Sequence, residues 1–578
     1  MTNLEVADTL KRIGDMMDIL GENRFKVLAY RRAAENIIAL GQDLSTFQQQ
    51  GTLQEIPGVG QAIADKIDEL LTTGQLEFYE RLQDEVPAGV VSLLEIPDVG
   101  PKTAKLMWDE LGLQSVGEVE AAARDGQLQK LPGLGAKSEA KILAGIEALH
   151  RRSDRIPVGT AWPVASELLE ALRAGCDEIT EGTVAGSLRR MRPTIGDIDL
   201  LVAADNPEAA MKAFANLPAV GEVLLRGQTK TSVRLHNGLQ VDLRVLAPSR
   251  WGAALQYFTG SQAHNVRVRE IAQKQGLSLS EYGFKQQDGG EILCRHEAEV
   301  YETLGLPWIP PELREDRGEI AAAQAGTLPT LVEWQDIRGD LHAHTDWSDG
   351  AGTLEEMAQA ARARGYQYLV ISDHTHSLGV ANGLTAERLR QQRSEIEALN
   401  KKWDNFTLLQ GCELEIKADG SLDFPDDVLA ELDFVVASAH TSLRQERDQI
   451  TQRALNAVHN RFVDVIGHPT GRILGQREGS ALDLDALIEA AAATDTALEV
   501  NSIPNRLDLD DVYSRRALDA GVKIAINSDA HHPGGLDNLP YGLATARRGW
   551  ATVPGVLNTM TWENVRAWRQ ARIERFKP

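Results

Sequence analysis

Three aspartates stand at a spacing that chemistry can use. Asp197 and Asp199 flank Ile198 in Gly196-Asp197-Ile198-Asp199, and Asp242 follows in Val241-Asp242-Leu243-Arg244. Side chains alternate along a strand, so Asp197 and Asp199 share one face, and Asp242 on a neighbouring strand completes a three-carboxylate cluster. Three carboxylates repel one another unless cations sit between them. Two hard divalent ions about 4 Å apart would satisfy them, activating a hydroxyl nucleophile and stabilising a departing pyrophosphate. Upstream, Gly186-Ser187-Leu188-Arg189-Arg190 offers backbone N–H groups, the Ser187 hydroxyl and the charge of Arg190 to phosphate oxygens. An isolated Asp-x-Asp is common on exposed edge strands; with that turn and a third strand aspartate, the pattern reads as nucleotidyl transfer.

A second set is rich in histidine. Nine of the 13 histidines fall after residue 340, more than that segment's share of the length. Asp340-Leu341-His342-Ala343-His344 puts two histidines on one strand face, with Asp349 close behind. Asp373-His374, Glu413, His440, His468, and Asp529 with His531 then stand at the ends of successive apolar runs. In a (β/α) barrel the strand C-terminal ends converge on one rim, so these distant residues would meet there. Nine nitrogen and oxygen ligands exceed what one metal needs. They suit two or three ions of the zinc or manganese type, able to polarise a phosphodiester and to acidify water. His376, His459 and His532 fall outside the pattern, and Arg472, shortly after His468, is placed to contact a phosphate.

A third motif recurs as Ile56-Pro57-Gly58-Val59-Gly60, Ile96-Pro97-Asp98-Val99-Gly100 and Leu131-Pro132-Gly133-Leu134-Gly135. Near-adjacent glycines turn the backbone tightly at a helix start, leaving free N–H groups and the positive dipole end outward, a site for phosphate that reads no bases. Asp98 replaces the first glycine of the second copy, and its carboxylate should repel a phosphate.

The elements that must carry these residues change along the chain. Residues 1–150 read as nearly all helix, with Leu4, Ala7, Leu10, Ile13 and Met17 at helical spacing. Strand-like runs at 183–185, 198–202, 232–235 and 239–245 follow a helix at 162–173, giving an α+β sheet domain. Residues 250–308 read as mixed helix and turn, and Pro307, Pro310 and Pro311 open a linker. Beyond 336, short apolar runs at 368–371, 408–409, 434–437, 463–466, 497–500 and 522–526 alternate with helical stretches, the rhythm of a (β/α) barrel.

Composition narrows the class. A chain of 578 residues with 43% hydrophobic and 25% charged residues is multidomain and globular. It has no run of membrane-span length and no signal-peptide pattern at its start, so a cytoplasmic protein is expected. Cys176, Cys294 and Cys412 lie far apart and read as buried small residues. The net charge of −24 argues against bulk coating of nucleic acid, but residues 151–320 carry only −3 of it, against −10 before and −11 after.

The repeated turns resemble the helix-hairpin-helix motif of DNA-repair proteins. With the carboxylate set, residues 1–315 resemble a family X DNA polymerase, the group that includes DNA polymerase beta. The resemblance implies that Asp197, Asp199 and Asp242 bind Mg²⁺ or Mn²⁺, with Asp242 as base for the primer hydroxyl. It implies that Ser187, Arg190 and Gly196 contact the triphosphate. Tyr257-Phe258-Thr259-Gly260-Ser261 matches the segment beside the incoming sugar, where Tyr257 and Phe258 would discriminate against ribose, and Asn265 and Arg269 match contacts to the nascent pair and template. Gln240 stands where the family often has an arginine. Lys26, Tyr30 and Lys66 match the 5′-phosphate pocket, with Lys66 as the lyase lysine that would form a Schiff base. Phe25 and Ala62 replace basic or histidine positions there, so 5′-phosphate binding is implied and lyase activity left open. Gly58, Gly60, Gly100, Gly133 and Gly135 would contact DNA phosphates.

Residues 336–575 are similar to the polymerase and histidinol phosphatase (PHP) domain. By that likeness His342, His344, Asp349, His374, Glu413, His440, His468, Asp529 and His531 hold two or three Zn²⁺ or Mn²⁺. The fused arrangement resembles the bacterial and archaeal family X polymerases. The expected chain is a helical 8-kDa-like domain (1–85), a helix-hairpin-helix fingers-like subdomain (86–155), an α+β nucleotidyltransferase palm (156–250), a thumb-like subdomain (251–312), a linker (313–335) and a distorted α/β barrel (336–578). Its implied activity is gap-filling DNA synthesis from deoxynucleoside triphosphates on gapped or nicked DNA, with 3′-5′ exonuclease or abasic-site incision in the barrel, by a monomer without membrane contact. The alternatives are a small-molecule phosphatase of the histidinol-phosphate type in the barrel, or a DNA-binding scaffold.

Overall fold

The computed structural model describes residues 3–38, 44–56, 58–96, 99–153 and 155–575. Pro57, Pro97 and Asp98 of the repeated turns lie outside the described residues. The chain divides into two compact units, Met1–Asp154 with Asp346–Ala351 and Leu378–Gly383, and the remainder.

The first unit is helical because its apolar residues recur every three to four positions. Val6, Leu10, Ile13 and Met17 on helix Asn3–Leu20 enter one core with Ile63, Ile67 and Leu70 on helix Gln61–Thr73. A second core holds Leu93, Ala104, Met107, Val119, Ile142 and Ile146. The three repeated turns share one hydrogen bond. Val59, Val99 and Leu134 each donate N–H to the carbonyl three residues back, at 3.0, 3.0 and 3.1 Å. Gly60 and Gly100 then cap the following helices in extended conformation. Gly58 and Gly133 take positive φ of 77° and 81°, which only glycine adopts readily.

In the second unit, a five-stranded sheet has the order Ile179–Val184, Ile198–Ala204, Gln240–Leu246, Lys230–Leu235, Val220–Arg226. The strand Val220–Arg226, at the sheet edge, is solvated along its length and was not foreseen in the sequence. Residues 250–308 depart from the expected helix and turn. Helices Trp251–Thr259, Gln262–Lys274 and Glu297–Thr303 accompany a three-stranded antiparallel sheet, Leu277–Ser280, Gly283–Gln286 and Glu291–Ile292. Strands this short leave no readable period.

The expected linker, 313–335, is instead built into the fold. Leu313, Ile320, Ala323 and Leu331 share a core with Val300 and Tyr301, helix Glu319–Ala325 crosses the segment, and Arg314 is fully buried against Glu297 at 2.5 Å. Pro310 and Pro311, which suggested a tether, begin the short turn Pro311–Leu313, whose Leu313 packs into that core.

The C-terminal region has seven parallel strands in chain order: Gly339–Ala343, Tyr368–Ile371, Thr407–Glu415, Phe434–Ser438, Val465–Ile466, Ala497–Asn501 and Ile524–Asn527. These read as continuous apolar runs because helices cover the outer face and side chains fill the inner one. The first and last strands meet through Asp529 N–H to the His342 carbonyl at 3.0 Å and His344 N–H to the Ala530 carbonyl at 2.8 Å, closing a distorted barrel. Among the described residues no helix is long and apolar enough to cross a membrane. All three cysteines are buried and free.

Candidate active sites

Parallel register places Asp199 beside Asp242, and antiparallel register places Ser232 opposite Asp242. Carboxylate oxygens of Asp197, Asp199 and Asp242 all lie within 4.8 Å of one another. Burial, then the charges of Asp197 and Asp242, raise the Asp199 pKa to about 7. Burial also resists ionisation of Asp242, but Lys230 and Ser232 outweigh it and hold its carboxyl below the usual range. Lys230 Nζ is 2.5 Å from Asp242 Oδ2, and Gln240 Nε2 donates to Oδ1 at 3.3 Å. A metal-free trio in which burial and like charge raise one carboxyl's pKa and a lysine pairs another fits divalent cations.

The short helix Gly186–Arg189 begins over this trio. Gly186 has φ of 59°, and a Cβ there would stand 2.0 Å from Asp199 Oδ2. Ser187 follows on the same turn, and Gly196 immediately precedes Asp197. Arg190 donates from Nε to Glu315 Oε1 at 3.0 Å and from Nη1 to the Thr259 carbonyl at 2.9 Å. Arg189 instead pairs with buried Glu297 at 2.7 Å.

Tyr257 and Phe258 meet edge-to-face at 5.1 Å, and Arg244 stacks on Phe258 at 4.3 Å. Asn265 Nδ2 donates to the Tyr257 carbonyl at 2.6 Å and that of Gly260 at 3.2 Å, and Arg269 Nε donates to the Asn265 carbonyl at 3.3 Å. A Cβ on Gly260 would stand 2.5 Å from Asn265 Oδ1, so glycine keeps this corner closed. The structure thus brings Tyr257, Gly260, Asn265 and Arg269 into one continuous set.

In the first unit, Tyr30 stacks on Phe78 at 6.2 Å and Lys66 Nζ lies 4.8 Å from the same ring, so Phe78, not singled out in the sequence, joins two of the expected pocket residues. Lys66 also donates to the Ala62 carbonyl at 3.1 Å, while exposed Lys26 reaches Glu22 at 3.8 Å.

The barrel rim gathers three overlapping groups: His344, Asp349, His374 and His531; His342, His344 and Asp529; and His374, Glu413 and His440. His468 Nε2 adds to them, 2.9 Å from Glu413 Oε1. Glu413 Oε2 and Asp529 Oδ1 are buried carboxylate oxygens with no hydrogen-bond donor among the described residues, although imidazole nitrogens surround them at 3.0–3.5 Å. Burial opposes charge on His342, but Glu499, Glu413 and Asp529 outweigh it and lift its pKa well above the usual value. His344 is pushed down to about 3 by burial and by His531 and His374. Protons on some imidazoles here compensate buried carboxylates, the task of divalent cations in such a donor set.

Two carboxylates missed in the sequence orient the rim. Glu499 Oε1 accepts from His342 Nδ1 at 2.7 Å and from Asn527 Nδ2 at 2.8 Å, and its Oε2 accepts the His468 N–H at 2.7 Å. Glu415 Oε2 accepts from His440 Nδ1 at 2.7 Å. Each frees the opposite ring nitrogen to face the cluster. Arg472 is engaged within the protein: its guanidinium donates to the carbonyls of Arg506 and Leu507 and lies 3.5 Å from Asp510. His376 pairs with Asp423 at 3.3 Å, and His459 bonds the Leu455 carbonyl at 2.7 Å.

Four family models match the chain: a helix-hairpin-helix domain over residues 1–76, a SAM-like helix-hairpin-helix tandem over 90–148, the DNA polymerase beta thumb over 254–315 and the PHP domain over 340–503. Among curated proteins, the chain is 40% identical to DNA polymerase/3'-5' exonuclease PolX of Bacillus subtilis over 98% of its own length and 99% of that protein's. It is 26% identical to DNA polymerase lambda of Rattus norvegicus over 54% of this chain and 56% of the other. A probable phosphatase of Thermoanaerobacter sp. (strain X514) is 29% identical over 38% of this chain and 89% of its own.

Proposed function

From its membership of the family X DNA polymerases that carry a C-terminal PHP domain, to which this chain belongs, we infer a DNA polymerase that extends primers at short gaps and carries a divalent-metal-dependent 3′-5′ exonuclease in its barrel. The observation that carries the reading is the independent assembly of two metal-fitting clusters in one chain, the aspartate trio and the imidazole–carboxylate rim. Similarity to the phosphatases reaches only the barrel-sized share of the chain, so it does not favour a small-molecule phosphatase.

Asp197, Asp199 and Asp242 would hold Mg²⁺ or Mn²⁺ in the palm; His342, His344, Asp349, His374, Glu413, His440, His468, Asp529 and His531 would hold two or three Zn²⁺ or Mn²⁺ in the barrel. Bound there, divalent cations supply charge to a departing pyrophosphate in the first site and to the scissile phosphodiester in the second. Asp242 accepts the proton of the primer hydroxyl. Ser187 and Arg190, with the N–H groups after Gly186, hold the triphosphate, and Gly196 lets the chain approach it. Tyr257 and Phe258 border the sugar, while Asn265 and Arg269 face the nascent pair. Gly58, Gly60, Gly100, Gly133 and Gly135 present backbone N–H groups to DNA phosphates. Lys26, Tyr30 and Lys66 bind a 5′-phosphate. The working domains are 1–85, 86–155, 156–250, 251–312 and 336–578, with 313–335 packed onto the thumb-like part, in a cytoplasmic monomer.

The test follows a 5′-labelled primer on a gapped duplex with a downstream 5′-phosphate, in Mg²⁺ or Mn²⁺, with wild type, Asp242→Ala and His342→Ala. Lengthening that needs nucleotides and Asp242, and shortening that needs His342, support the reading. A primer that never lengthens overturns the polymerase assignment, and one that never shortens overturns the exonuclease.

A further inference from the structure

We infer that Arg548, a residue of the barrel, is a positioning residue for the nucleotide site of the palm. The inference rests on Arg190 as a triphosphate contact. Arg548 ends the barrel helix Leu539–Arg548 and its side chain is fully buried. From there its Nη1 donates to the Arg190 carbonyl at 2.8 Å and to Glu315 Oε1 at 3.0 Å, and its Nη2 donates to Asp511 Oδ2 at 2.7 Å. Glu315 Oε1 is the same atom that receives Arg190 Nε at 3.0 Å. One guanidinium therefore holds both the main chain of Arg190 and the carboxylate that fixes its side chain.

The charge count gives this arrangement a purpose. Arg192 Nη1 lies 3.8 Å from Glu315, and Arg317 Nη1 lies 2.8 Å from Asp511. Four guanidinium groups, on Arg190, Arg192, Arg317 and Arg548, thus share two carboxylates, Glu315 and Asp511. Burial and the nearby charge of Arg548 lower the pKa of Arg192, as an excess of positive charge would. Left with Arg190 alone, Glu315 would neutralise it. Sharing Glu315 with Arg548 keeps that pair directional without cancelling the charge. Of the Arg190 donors, Nη2 meets no acceptor among the described residues. The turn Gly186–Arg189 and Arg190 are thereby held, partly from the barrel, in a net positive setting suited to a triphosphate.

Arg548→Met and Arg548→Lys in the full chain test this, with Arg190→Ala as reference. The readouts are KM for the deoxynucleotide, kcat for single-nucleotide gap filling, and metal content of the barrel. Loss of charge-assisted hydrogen bonds at Arg548 should raise KM about tenfold with kcat and barrel metal nearly unchanged, and Arg548→Lys should fall between. Unaltered KM in the Lys variant, or a fall in kcat at constant KM in either, overturns the inference. Should Arg548→Met fail to fold, the Lys variant alone decides. If Arg190→Ala leaves KM unchanged, the failure lies in the nucleotide-contact reading itself; a raised KM in Arg190→Ala with normal KM in both Arg548 variants isolates the failure to Arg548.

Discussion

Lys230 Nζ and Asp242 Oδ2 stand 2.5 Å apart on adjacent strands, in a diagonal set by the register that pairs Lys230 with Arg244 and Ser232 with Asp242. All four side chains share the face of the aspartate trio. The ammonium group therefore occupies a carboxylate oxygen that a divalent cation would need. Lys230→Met should tighten Mn²⁺ binding to the DNA-free protein several-fold, measured as the component of binding that Asp242→Asn abolishes. Equal affinity in wild type and Lys230→Met would show that the ammonium leaves without competing.

The raised pKa of Asp199 sets a pH dependence for the metal-free palm. A carboxyl at 3.8 in the unfolded chain and about 7 in the fold binds more protons when folded between those values. Its contribution is fully present below about pH 4 and is lost as pH rises through about 7, a change of up to a few kcal/mol. Amide exchange in strand Ile198–Ala204 should thus accelerate from pH 5 to pH 8, after correction for intrinsic rate, in chelator. Mg²⁺ or Asp199→Asn should remove the trend; a trend that persists in Asp199→Asn assigns it elsewhere.

Glu499 reaches the barrel rim through His342, His468, Asn501 and Asn527. Glu499→Gln keeps the shape but removes the charge and turns one of two acceptor oxygens into an NH2 donor, so His342 Nδ1–H and the His468 N–H can no longer both be received. Such outer carboxylates typically contribute about 10- to 100-fold to metal affinity. Retained metal should fall on dialysis and primer shortening should slow, while primer lengthening is unchanged. Full metal retention would mean that the Glu499 amide orients His342 as well as the carboxylate.

What the sequence disclosed follows from how each signal arises. Ile198–Ala204 and Phe434–Ser438 were readable because strand burial repeats at short range. Most of the rim residues were readable because they stand at or just beyond the ends of apolar runs, where barrel strands converge; Asp349 follows in the loop after the first strand, and Glu413 lies inside strand Thr407–Glu415. Glu499 escaped notice because it lies inside such a run, between Leu498 and Val500, and only its burial against His342 reveals its role. Lys230 lay outside the strand expected at 232–235, and only the register, with Ser232 opposite Asp242 and Lys230 two residues before it on the same face, brings it to Asp242. Arg314 and Glu319 escaped for the same reason. Their partners, Glu297 and His264, are remote in sequence, so a buried segment after three prolines looked like a linker.

The closest approach in the palm predicts the sharpest separation of activities. Gly186 combines a φ of 59° with a would-be Cβ 2.0 Å from Asp199 Oδ2 and 2.9 Å from its Cγ. Alanine there meets both a left-handed backbone and a collision with the far end of Asp199. That side chain can swing away, so the fold should tolerate the change at a cost of roughly 1–2 kcal/mol for the backbone alone. Catalysis cannot follow, because the displaced carboxylate is one of the trio and a shift of about 1 Å at such a group can cost about a hundredfold in rate. Gly186→Ala should therefore lose about two orders of magnitude in primer lengthening, keep wild-type primer shortening at the barrel, and lower the thermal midpoint only slightly. Equal loss of both activities would indicate general unfolding, and retention of lengthening would mean that Asp199 reaches its working position by another rotamer.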